Sequence, residues 1–321
     1  MSFKLVVMPP HSDPTRYYAA RIADTVTEAN VVVPEDIDAA KREIADADAA
    51  IGTVPKEVLT EAKKLRWIQG LAAGPVAGWY YPELVAHPAV VTNSAGIYGE
   101  HIGTHLMAFM LALARGFQHY MPQQARREWR RLGEESIVYL PEATVLIVGV
   151  GGIGSDFARM AQPFVKRIIG IDARVRDRPP AVDELHPADR LETVLPEADF
   201  VVMTVPHTPE TEGMMNARRF KLMKKTAFLL NIGRGATVKL DDLVAALKAG
   251  EIAGAGLDVF ETEPLPAEHP LWSAPGVLLT PHRAAVGPYT VDRRADLIVD
   301  NCRRFATGQP LRNVVDKERW F

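Results

Sequence analysis

The chain has 321 residues, of which 47% are hydrophobic and 24% are charged, and its formal net charge is -3. This composition is typical of a globular protein long enough for two domains. The slightly negative charge predicts no general attraction to nucleic acid or to an anionic membrane. The single cysteine, Cys302, excludes an internal disulfide and fits the reducing cytoplasm, which is the location we expect.

The first part of the chain alternates short apolar runs with helical stretches. We predict a helix at residues 14–29 and strands at residues 4–8, 31–33, 49–51, 65–68 and 90–92. Such alternation is typical of a parallel α/β sheet. A glycine-bounded loop of small residues, Leu71, Ala72, Ala73 and Gly74, lies between the last two strands. Its backbone N–H groups can bind a small anion, although an ordinary connection explains the loop equally well.

An amphipathic helix is predicted over residues 100–115, and we expect it to lead from a first domain into a second. His101 and His105 stand one helical turn apart, a spacing that can hold a metal ion. Because no third ligand is evident, we predict no metal site and interpret both as histidines of the helix surface or of an interface. The arginines at residues 126–131 are mixed with acidic residues, which indicates a solvated helix end rather than a nucleic-acid site.

A dinucleotide-binding pattern follows. The strand predicted at residues 145–148 leads into a G-x-G-x-x-G turn with the glycines Gly149, Gly151 and Gly154. Such glycines permit a tight turn, close approach of a pyrophosphate, and close packing of helix on strand. The helix predicted at residues 153–160 would present its N-terminus to the phosphates. A strand at residues 167–171 ends in Asp172, which can accept hydrogen bonds from an adenosine ribose.

Further strands at residues 199–204, 227–232, 253–259 and 277–280 would extend the same sheet, with helices at 240–248 and 291–306. Three ionisable residues, Arg234, Glu263 and His282, occur where these strands end. Reduction of a carbonyl group by a nicotinamide needs a proton donor and a positive group that polarises the oxygen. Histidine with a carboxylate partner suits the first task, and arginine suits the second as well as binding a substrate carboxylate. Each residue alone has an ordinary structural explanation, but their placement at consecutive strand ends favours one common site.

These segments resemble the D-isomer-specific 2-hydroxyacid dehydrogenases over nearly the whole chain. The resemblance rests on Gly149–Gly154 with Asp172, on residues 195–199, 205–211, 231–235 and 257–260, on Glu263-Pro264, and on Pro281-His282. It implies an α/β fold of two Rossmann-like, doubly wound parallel-sheet domains with an interdomain cleft. Residues 1–99 and 286–321 would form the substrate-binding domain and residues 100–285 the dinucleotide-binding domain. The family is usually a homodimer that assembles through the cofactor domains.

The resemblance also implies roles for individual residues. His282 would be the general acid and base, Glu263 its partner, and Arg234 the group that binds and polarises the 2-oxo acid. Leu71, Ala72, Ala73 and Gly74 would hold the substrate carboxylate, with Tyr98 lining the pocket. The cofactor-binding positions would be Gly149, Gly151, Gly152, Ile153, Gly154, Asp172, Val205, Pro206, Ile232, Gly233, Asp258, Ala284 and Ala285. The sequence Gly74-Pro75-Val76 departs from the family's usual substrate loop, which leaves the size and polarity of the substrate open.

Asp172 would repel a 2′-phosphate and therefore favours NAD, whereas Arg174, Arg176 and Arg178 can instead bind that phosphate of NADP. We predict an enzyme that moves hydride between a nicotinamide and a small 2-oxo or 2-hydroxy acid of D configuration, with glyoxylate and hydroxypyruvate as leading candidates. Two alternatives use the same residues. One is an NAD(H)-sensing binding protein or corepressor, and the other is an oxidoreductase of a non-carbon oxyanion such as phosphite.

Overall fold

Two α/β units make up the chain, in a computed structural model that describes residues 1–74, 78–174 and 177–319. The first unit comprises Met1–Ile97 and Gly287–Phe321, and the second comprises Tyr98–Val286. Tyr98, the N-cap of the long helix at the start of the second unit, therefore belongs to the same unit as Arg234.

Each unit contains one parallel sheet among the described residues. The strands of the first unit are β1 (Phe3–Val7), β2 (Ala29–Val32), β3 (Ala49–Ile51), β4 (Trp67–Gln69) and β5 (Val90–Thr92). Those of the second are β6 (Thr144–Val148), β7 (Arg167–Ile171), β8 (Glu184–His186), β9 (Phe200–Met203), β10 (Phe228–Asn231), β11 (Gly254–Leu257) and β12 (Val277–Leu279). The spatial orders are β2-β1-β3-β4-β5 and β12-β11-β10-β9-β6-β7-β8. Both are orders of doubly wound sheets, so the predicted fold class is confirmed.

Helices connect the strands of both sheets. They are α1 (Asp13–Thr25), α2 (Ile37–Ile44), α3 (Lys56–Leu59), α4 (Pro82–Ala86), α5 (Gly99–Ala114), α6 (Phe117–Arg126), α7 (Gly152–Ala161), α8 (Leu191–Val194), α9 (Ala217–Phe220), α10 (Leu240–Ala249) and α11 (Thr290–Thr307). Gly250 ends α10 in the left-handed conformation, as its position after the apolar helix predicts. In the part of the chain that the structure describes, no helix combines the length and the apolarity that a bilayer crossing requires.

The strand sequences explain why the sheets form. Every residue of β9, β10 and β11 is buried, as expected for central parallel strands covered on both faces. The edge strand β8 is half-buried and polar, and no strand is predicted there because an edge strand needs no apolar run. Helix α2 is also absent from the predicted elements; it begins at the side-chain cap that Asp36 makes to the backbone N–H of Ala39.

The register of the second sheet brings its strand ends to one level. Val148 pairs with Ile171 on one side and with Met203 on the other. Across the remaining strands, Met203 pairs with Asn231, Asn231 with Leu257, and Leu257 with Leu279. The residues that follow these six strands are therefore neighbours at the carboxyl edge, namely Gly149, Asp172, Thr204, Ile232, Asp258 and Thr280.

Candidate active site

The glycine turn is built from backbone packed on backbone. Gly149 has a φ of +97°, which L side chains rarely adopt, and a Cβ there would lie 3.0 Å from the backbone nitrogen of Val205. A Cβ at Gly154 would overlap the carbonyl oxygen of Gly149, so this glycine lets α7 pack against the strand. The physical roles predicted for these two glycines thus have a visible steric cause.

The outer side of the turn is open. A Cβ built at Gly151 or at Gly152 would meet no protein atom within 4 Å, so protein packing does not demand glycine there. Gly151 is the N-cap of α7, and Ile153 follows in the first turn. The free N–H groups and positive dipole end of such a helix bind phosphate. The cradle therefore fits a dinucleotide, since a side chain at either glycine would occupy the space that a pyrophosphate needs.

Asp172 fixes the turn from the neighbouring strand. Its Oδ2 accepts a hydrogen bond from the backbone N–H of Val150 at 2.7 Å, and its Oδ1 accepts one from that of Arg174 at 2.8 Å. A carboxylate has about four lone-pair sites, so it retains capacity for a ribose hydroxyl. Anchoring of the glycine turn is a second task that the motif alone does not disclose.

The arginines considered for a 2′-phosphate are only partly described. Arg176 lies outside the described residues, and Arg174 is half-buried. Arg178 is exposed and donates a hydrogen bond to the carbonyl of Val182.

Two further predicted cofactor segments pack against each other. A Cβ at Gly233 would lie 2.5 Å from the carbonyl oxygen of Val205, so the segment after β10 touches the segment after β9 through backbone. Pro206 follows Val205, and its carbonyl accepts a hydrogen bond from the hydroxyl of Thr211 at 2.7 Å. Ile232 is buried beside Gly233. The structure therefore brings these residues together with the glycine turn.

Asp258 is a buried hub, with only 1% of its surface exposed. Its Oδ1 accepts hydrogen bonds from the Thr280 hydroxyl at 2.6 Å and from the backbone N–H of Arg283 at 2.7 Å. Its Oδ2 accepts from the backbone N–H of Ala284 at 2.8 Å, and its backbone carbonyl accepts from the N–H of His282. Asp258 thus holds the segment that carries the predicted proton donor, with Ala284 buried and Ala285 half-buried after it.

His282 and Glu263 form a close pair. Nδ1 of His282 lies 2.6 Å from Oε2 of Glu263, and Oε1 of that carboxylate accepts the backbone N–H of Phe260 at 3.0 Å. The backbone of His282 has a φ of +52°, in the left-handed region that is uncommon for any residue with a side chain. Strained backbone of this kind persists where surrounding bonds determine it, and it is concentrated at functional sites.

Arg234 lies on the same side of the sheet. Its guanidinium donates to the carbonyl of Gly233 at 2.6 Å. Burial lowers the pKa of Arg234, while the neighbouring Glu263 carboxylate and Tyr98 act in the opposite direction. Arginine stays protonated despite such a shift. The structure therefore gathers a cation, a carboxylate and an imidazole, with Tyr98 close enough to affect the cation.

The loop predicted to hold the substrate carboxylate belongs to the first unit. It follows β4, and the carbonyls of Ala72 and Ala73 accept hydrogen bonds from the Ser94 N–H at 2.9 Å and the Asn93 amide at 3.0 Å. Carbonyls fixed toward the protein are compatible with a loop that presents N–H groups to an anion. Leu71 and Gly74 are half-buried in this loop, and the departure noted at Pro75-Val76 lies outside the described residues.

His105, expected at a helix surface or an interface, is partly buried and contacts the segment that follows β12. Its Nε2 lies 3.0 Å from the hydroxyl oxygen of Thr280, and its ring is edge-on to Phe109. Helical spacing from Ile102 and Phe109 places residue 105 on the apolar face of α5, a signal in the sequence that could have revealed this contact. Among the described residues, no group of three or more His, Cys, Asp or Glu side chains can hold a metal ion.

Comparisons with known proteins identify relatives along the chain. Residues 107–284 match the model of the family described as D-isomer specific 2-hydroxyacid dehydrogenase, NAD binding domain. A glyoxylate reductase from Pyrococcus furiosus is 37% identical over 292 residues, which cover 86% of this chain and 84% of that protein. A glyoxylate reductase from Korarchaeum cryptofilum is 34% identical and also covers 86% of this chain and 84% of its own length.

Solved structures give a similar result. An NADPH-dependent glyoxylate/hydroxypyruvate reductase from Sinorhizobium meliloti, in complex with NADP and sulfate, matches with a TM-score of 0.84 and 27% identity over 100% of both chains. A D-isomer specific 2-hydroxyacid dehydrogenase from Xanthobacter autotrophicus, in complex with NADPH and MES, matches with a TM-score of 0.87 and 27% identity over 100% of both chains.

These matches confirm the resemblance that the sequence motifs predict, and they do not favour the nicotinamide-sensing or phosphite-oxidising alternatives. The protein is an NAD(P)-dependent oxidoreductase of 2-hydroxy acids. It belongs to the D-isomer specific 2-hydroxyacid dehydrogenase family.

Proposed function

We propose that this enzyme reduces a small 2-oxo acid to the D-2-hydroxy acid, with His282, Glu263 and Arg234 as its catalytic residues. The observation that carries the proposal is the pair of His282 Nδ1 and Glu263 Oε2, 2.6 Å apart, with the half-buried cation Arg234 beside that carboxylate. An imidazole whose Nδ1 is engaged has Nε2 left for proton exchange with a substrate.

The reaction divides its tasks among these side chains. When bound, a nicotinamide would supply the hydride for C2 of the substrate. Arg234 binds the 2-oxo acid and polarises its carbonyl through its planar guanidinium fork. His282 donates a proton from Nε2 to the carbonyl oxygen as negative charge develops there, and it is left neutral. Glu263 stabilises the protonated imidazole before that transfer.

Each unit has its own part in this proposal. The first unit would bind substrate, with the backbone of Leu71–Gly74 holding the carboxylate, and the second would bind the dinucleotide. In the second unit the glycine turn and α7 would hold the pyrophosphate, and Asp172 the adenosine ribose. Val205-Pro206, Ile232-Gly233, Asp258 and Ala284-Ala285 would line the nicotinamide end.

Glyoxylate and hydroxypyruvate are the proposed substrates. The glyoxylate reductases among the relatives and the glyoxylate/hydroxypyruvate reductase among the solved structures support this choice. For the cofactor we propose a preference for NAD over NADP, because the fixed carboxylate of Asp172 would repel a 2′-phosphate. The complexes of relatives with NADP and NADPH make NADP the competing outcome.

We further propose a cytoplasmic homodimer that assembles through the second unit. Phe117, Met121, Trp129 and Tyr139 of that unit are 50%, 56%, 91% and 70% exposed, and exposed apolar side chains of this size often mark a protein interface. Light scattering should give twice the mass of one chain, and Trp129→Glu should shift the population toward monomer. A monomeric wild-type protein would contradict this.

The central test is oxidation of NADH and NADPH with a panel of 2-oxo acids. We expect turnover of glyoxylate and hydroxypyruvate, the D isomer as product, and a higher kcat/KM with NADH. His282→Ala should lower kcat by about 10²- to 10⁴-fold, the usual contribution of a general acid, while the cofactor Kd stays nearly unchanged. The control is His119→Ala, because His119 lines a cavity with Ala143 and Ala253, which precede β6 and β11 at the opposite edge of the sheet. Full activity of His282→Ala would disprove the assigned role.

A further inference from the structure

Three polar side chains form a hydrogen-bonded series that leads to the turn carrying His282. Nε2 of His105, on α5, lies 3.0 Å from Oγ1 of Thr280, which follows β12. That hydroxyl lies 2.6 Å from Oδ1 of Asp258, which follows β11. The imidazole is held edge-on against Phe109, with ring centroids 4.7 Å apart and planes at 83°. Phe109 in turn packs over Gly256, where a Cβ would lie 2.8 Å from its ring.

The direction of the hydrogen bonds follows from the donors available. The carboxylate of Asp258 accepts from two backbone N–H groups and therefore acts as an acceptor toward Thr280 as well. Thr280 has a single hydroxyl proton, and that proton is used in the bond to Asp258. Its oxygen must then accept from His105, so the imidazole carries its proton on Nε2.

His105 fills this role as a neutral side chain. Burial lowers the pKa of His105, and the opposing effect of Asp258 is smaller. The nearest carboxylate oxygen of Asp258 is 3.9 Å from Nε2, beyond a direct hydrogen bond. The histidine therefore acts on Asp258 through the threonine hydroxyl and not as a charged partner.

The hydrogen-bonded series ends at the turn that carries His282. Through its two carboxylate oxygens Asp258 holds the N–H groups of Arg283 and Ala284, and its carbonyl accepts the N–H of His282 at 2.8 Å. His282 has the left-handed φ of +52°, which surrounding bonds must maintain. A residue that fixes the carboxylate of Asp258 thus influences where the imidazole of His282 sits.

We propose that His105 is a positioning residue for hydride-coupled proton transfer, acting through Thr280 and Asp258 on His282. This inference rests on the proposed role of His282 as proton donor. Loss of the Nε2 donor frees the Thr280 hydroxyl to rotate, and Asp258 then holds the turn less rigidly. A small misplacement of a catalytic group is enough to slow a reaction strongly, because positioning contributes a large part of catalysis.

The test compares variants that remove or keep the donor. His105→Leu and Thr280→Val remove a link, whereas His105→Gln places an amide N–H as many bonds from Cα as Nε2, and Thr280→Ser keeps the hydroxyl. We expect kcat to fall about tenfold in His105→Leu and in Thr280→Val at nearly unchanged KM and cofactor Kd. His105→Gln and Thr280→Ser should recover most of the loss. The double variant should be little worse than either single one, because both break the same hydrogen-bonded series.

An independent readout does not depend on turnover. Histidine nitrogen NMR of the full chain should show His105 as the Nε2–H tautomer, and in Thr280→Val that signal should change. A kcat for His105→Leu within twofold of wild type would overturn the inference, as would an Nδ1–H tautomer or a loss that His105→Gln does not repair. Weaker cofactor binding in proportion to the lost kcat would equally overturn it, because that result describes a merely structural residue. Unchanged turnover in His282→Ala would instead contradict the proposed function.

Discussion

Glu263 holds His282 with one carboxylate oxygen and its own turn with the other. Oε2 lies 2.6 Å from Nδ1 of His282, and Oε1 accepts the backbone N–H of Phe260 at 3.0 Å. The side chains of His282 and Glu263 are 50% and 35% exposed, so the pair is open to solvent. The carboxylate therefore orients the imidazole without isolating it from solvent.

The contribution of the Glu263 charge to catalysis can be tested separately from that of its size and shape. Glu263→Gln keeps a side chain of the same size that can still contact Nδ1, but it no longer stabilises a protonated imidazole. We expect kcat for 2-oxo acid reduction to fall about 10- to 100-fold. Steady-state rates provide the measurement, and Glu261→Gln on the same loop is the control. A kcat for Glu263→Gln that matches the control would rule out a role for the charge.

Replacement by alanine should affect stability at one glycine of the turn and cofactor binding at another. At Gly154 a Cβ would overlap the carbonyl of Gly149, so Gly154→Ala should lower the unfolding free energy by about 1–3 kcal/mol. At Gly151 a Cβ meets no protein atom within 4 Å, so Gly151→Ala should keep the wild-type Tm and raise the cofactor Kd about tenfold or more. Thermal unfolding and fluorescence titration with NADH separate the two. Equal melting temperatures for both variants would show that the packing is not as tight as described.

A buried amide supports the loop that we propose to bind the substrate in the first unit. Gln69 donates to the carbonyl of Gly70 at 2.8 Å, and its Oε1 accepts from Thr92 and Asn301, each at 2.9 Å. Gln69→Leu leaves those buried donors unpaired, which costs about 1–3 kcal/mol, and it loosens the chain just before the loop. We expect KM for the 2-oxo acid to rise more than kcat falls.

The matched control for that variant is Gln118→Leu in the second unit. Gln118 is also buried, but its side-chain oxygen has no hydrogen-bond partner among the described residues. Its replacement should leave KM unchanged. If both variants alter KM alike, the effect comes from loss of a buried glutamine in general and not from the loop.

The lone cysteine should be inert in the folded protein. Cys302 lies on α11 with no exposed surface, and burial raises the pKa of its thiol to about 12. Because the thiolate is the reactive form, a disulfide reagent at neutral pH should label the protein only after denaturation. The absorbance of the chromophore that the reagent releases, with and without urea, measures the labelling, and Cys302→Ser serves as the blank. Prompt labelling of the native protein would show that α11 opens readily.

Much of this architecture can be predicted from the sequence, because central parallel strands must be apolar along their whole length. The runs that become β6, β7 and β9 to β11 are visible for that reason. The edge strand β12 is visible because its three residues happen to be apolar. The G-x-G-x-x-G turn is visible from its glycines. The edge strand β8 is not, since half of its environment is solvent. Its residues Glu184 and His186 give no apolar signal.

Contacts between segments that are distant along the chain cannot be predicted from the sequence, and part of the site depends on them. The types Arg234, Glu263 and His282 suggested their chemistry, but the bond between the last two depends on loops that no local pattern specifies. The sequence predicts Asp258 at the cofactor, but its hydrogen bonds to the turn after β12 appear only in three dimensions. For His105 the sequence predicts only a surface or interface position, because its partner Thr280 is distant along the chain.

The contacts among Gly149, Val205 and Gly233 involve main chain more than side chain. Directed evolution of this enzyme would therefore find few tolerated changes at Gly149 and Gly233, because a side chain there would displace neighbouring backbone. Altered coenzyme choice should arise instead from exchangeable side chains around Asp172 and Arg178. In a saturation library across both regions, few variants at the two glycines and many variants around Asp172 and Arg178 should remain active.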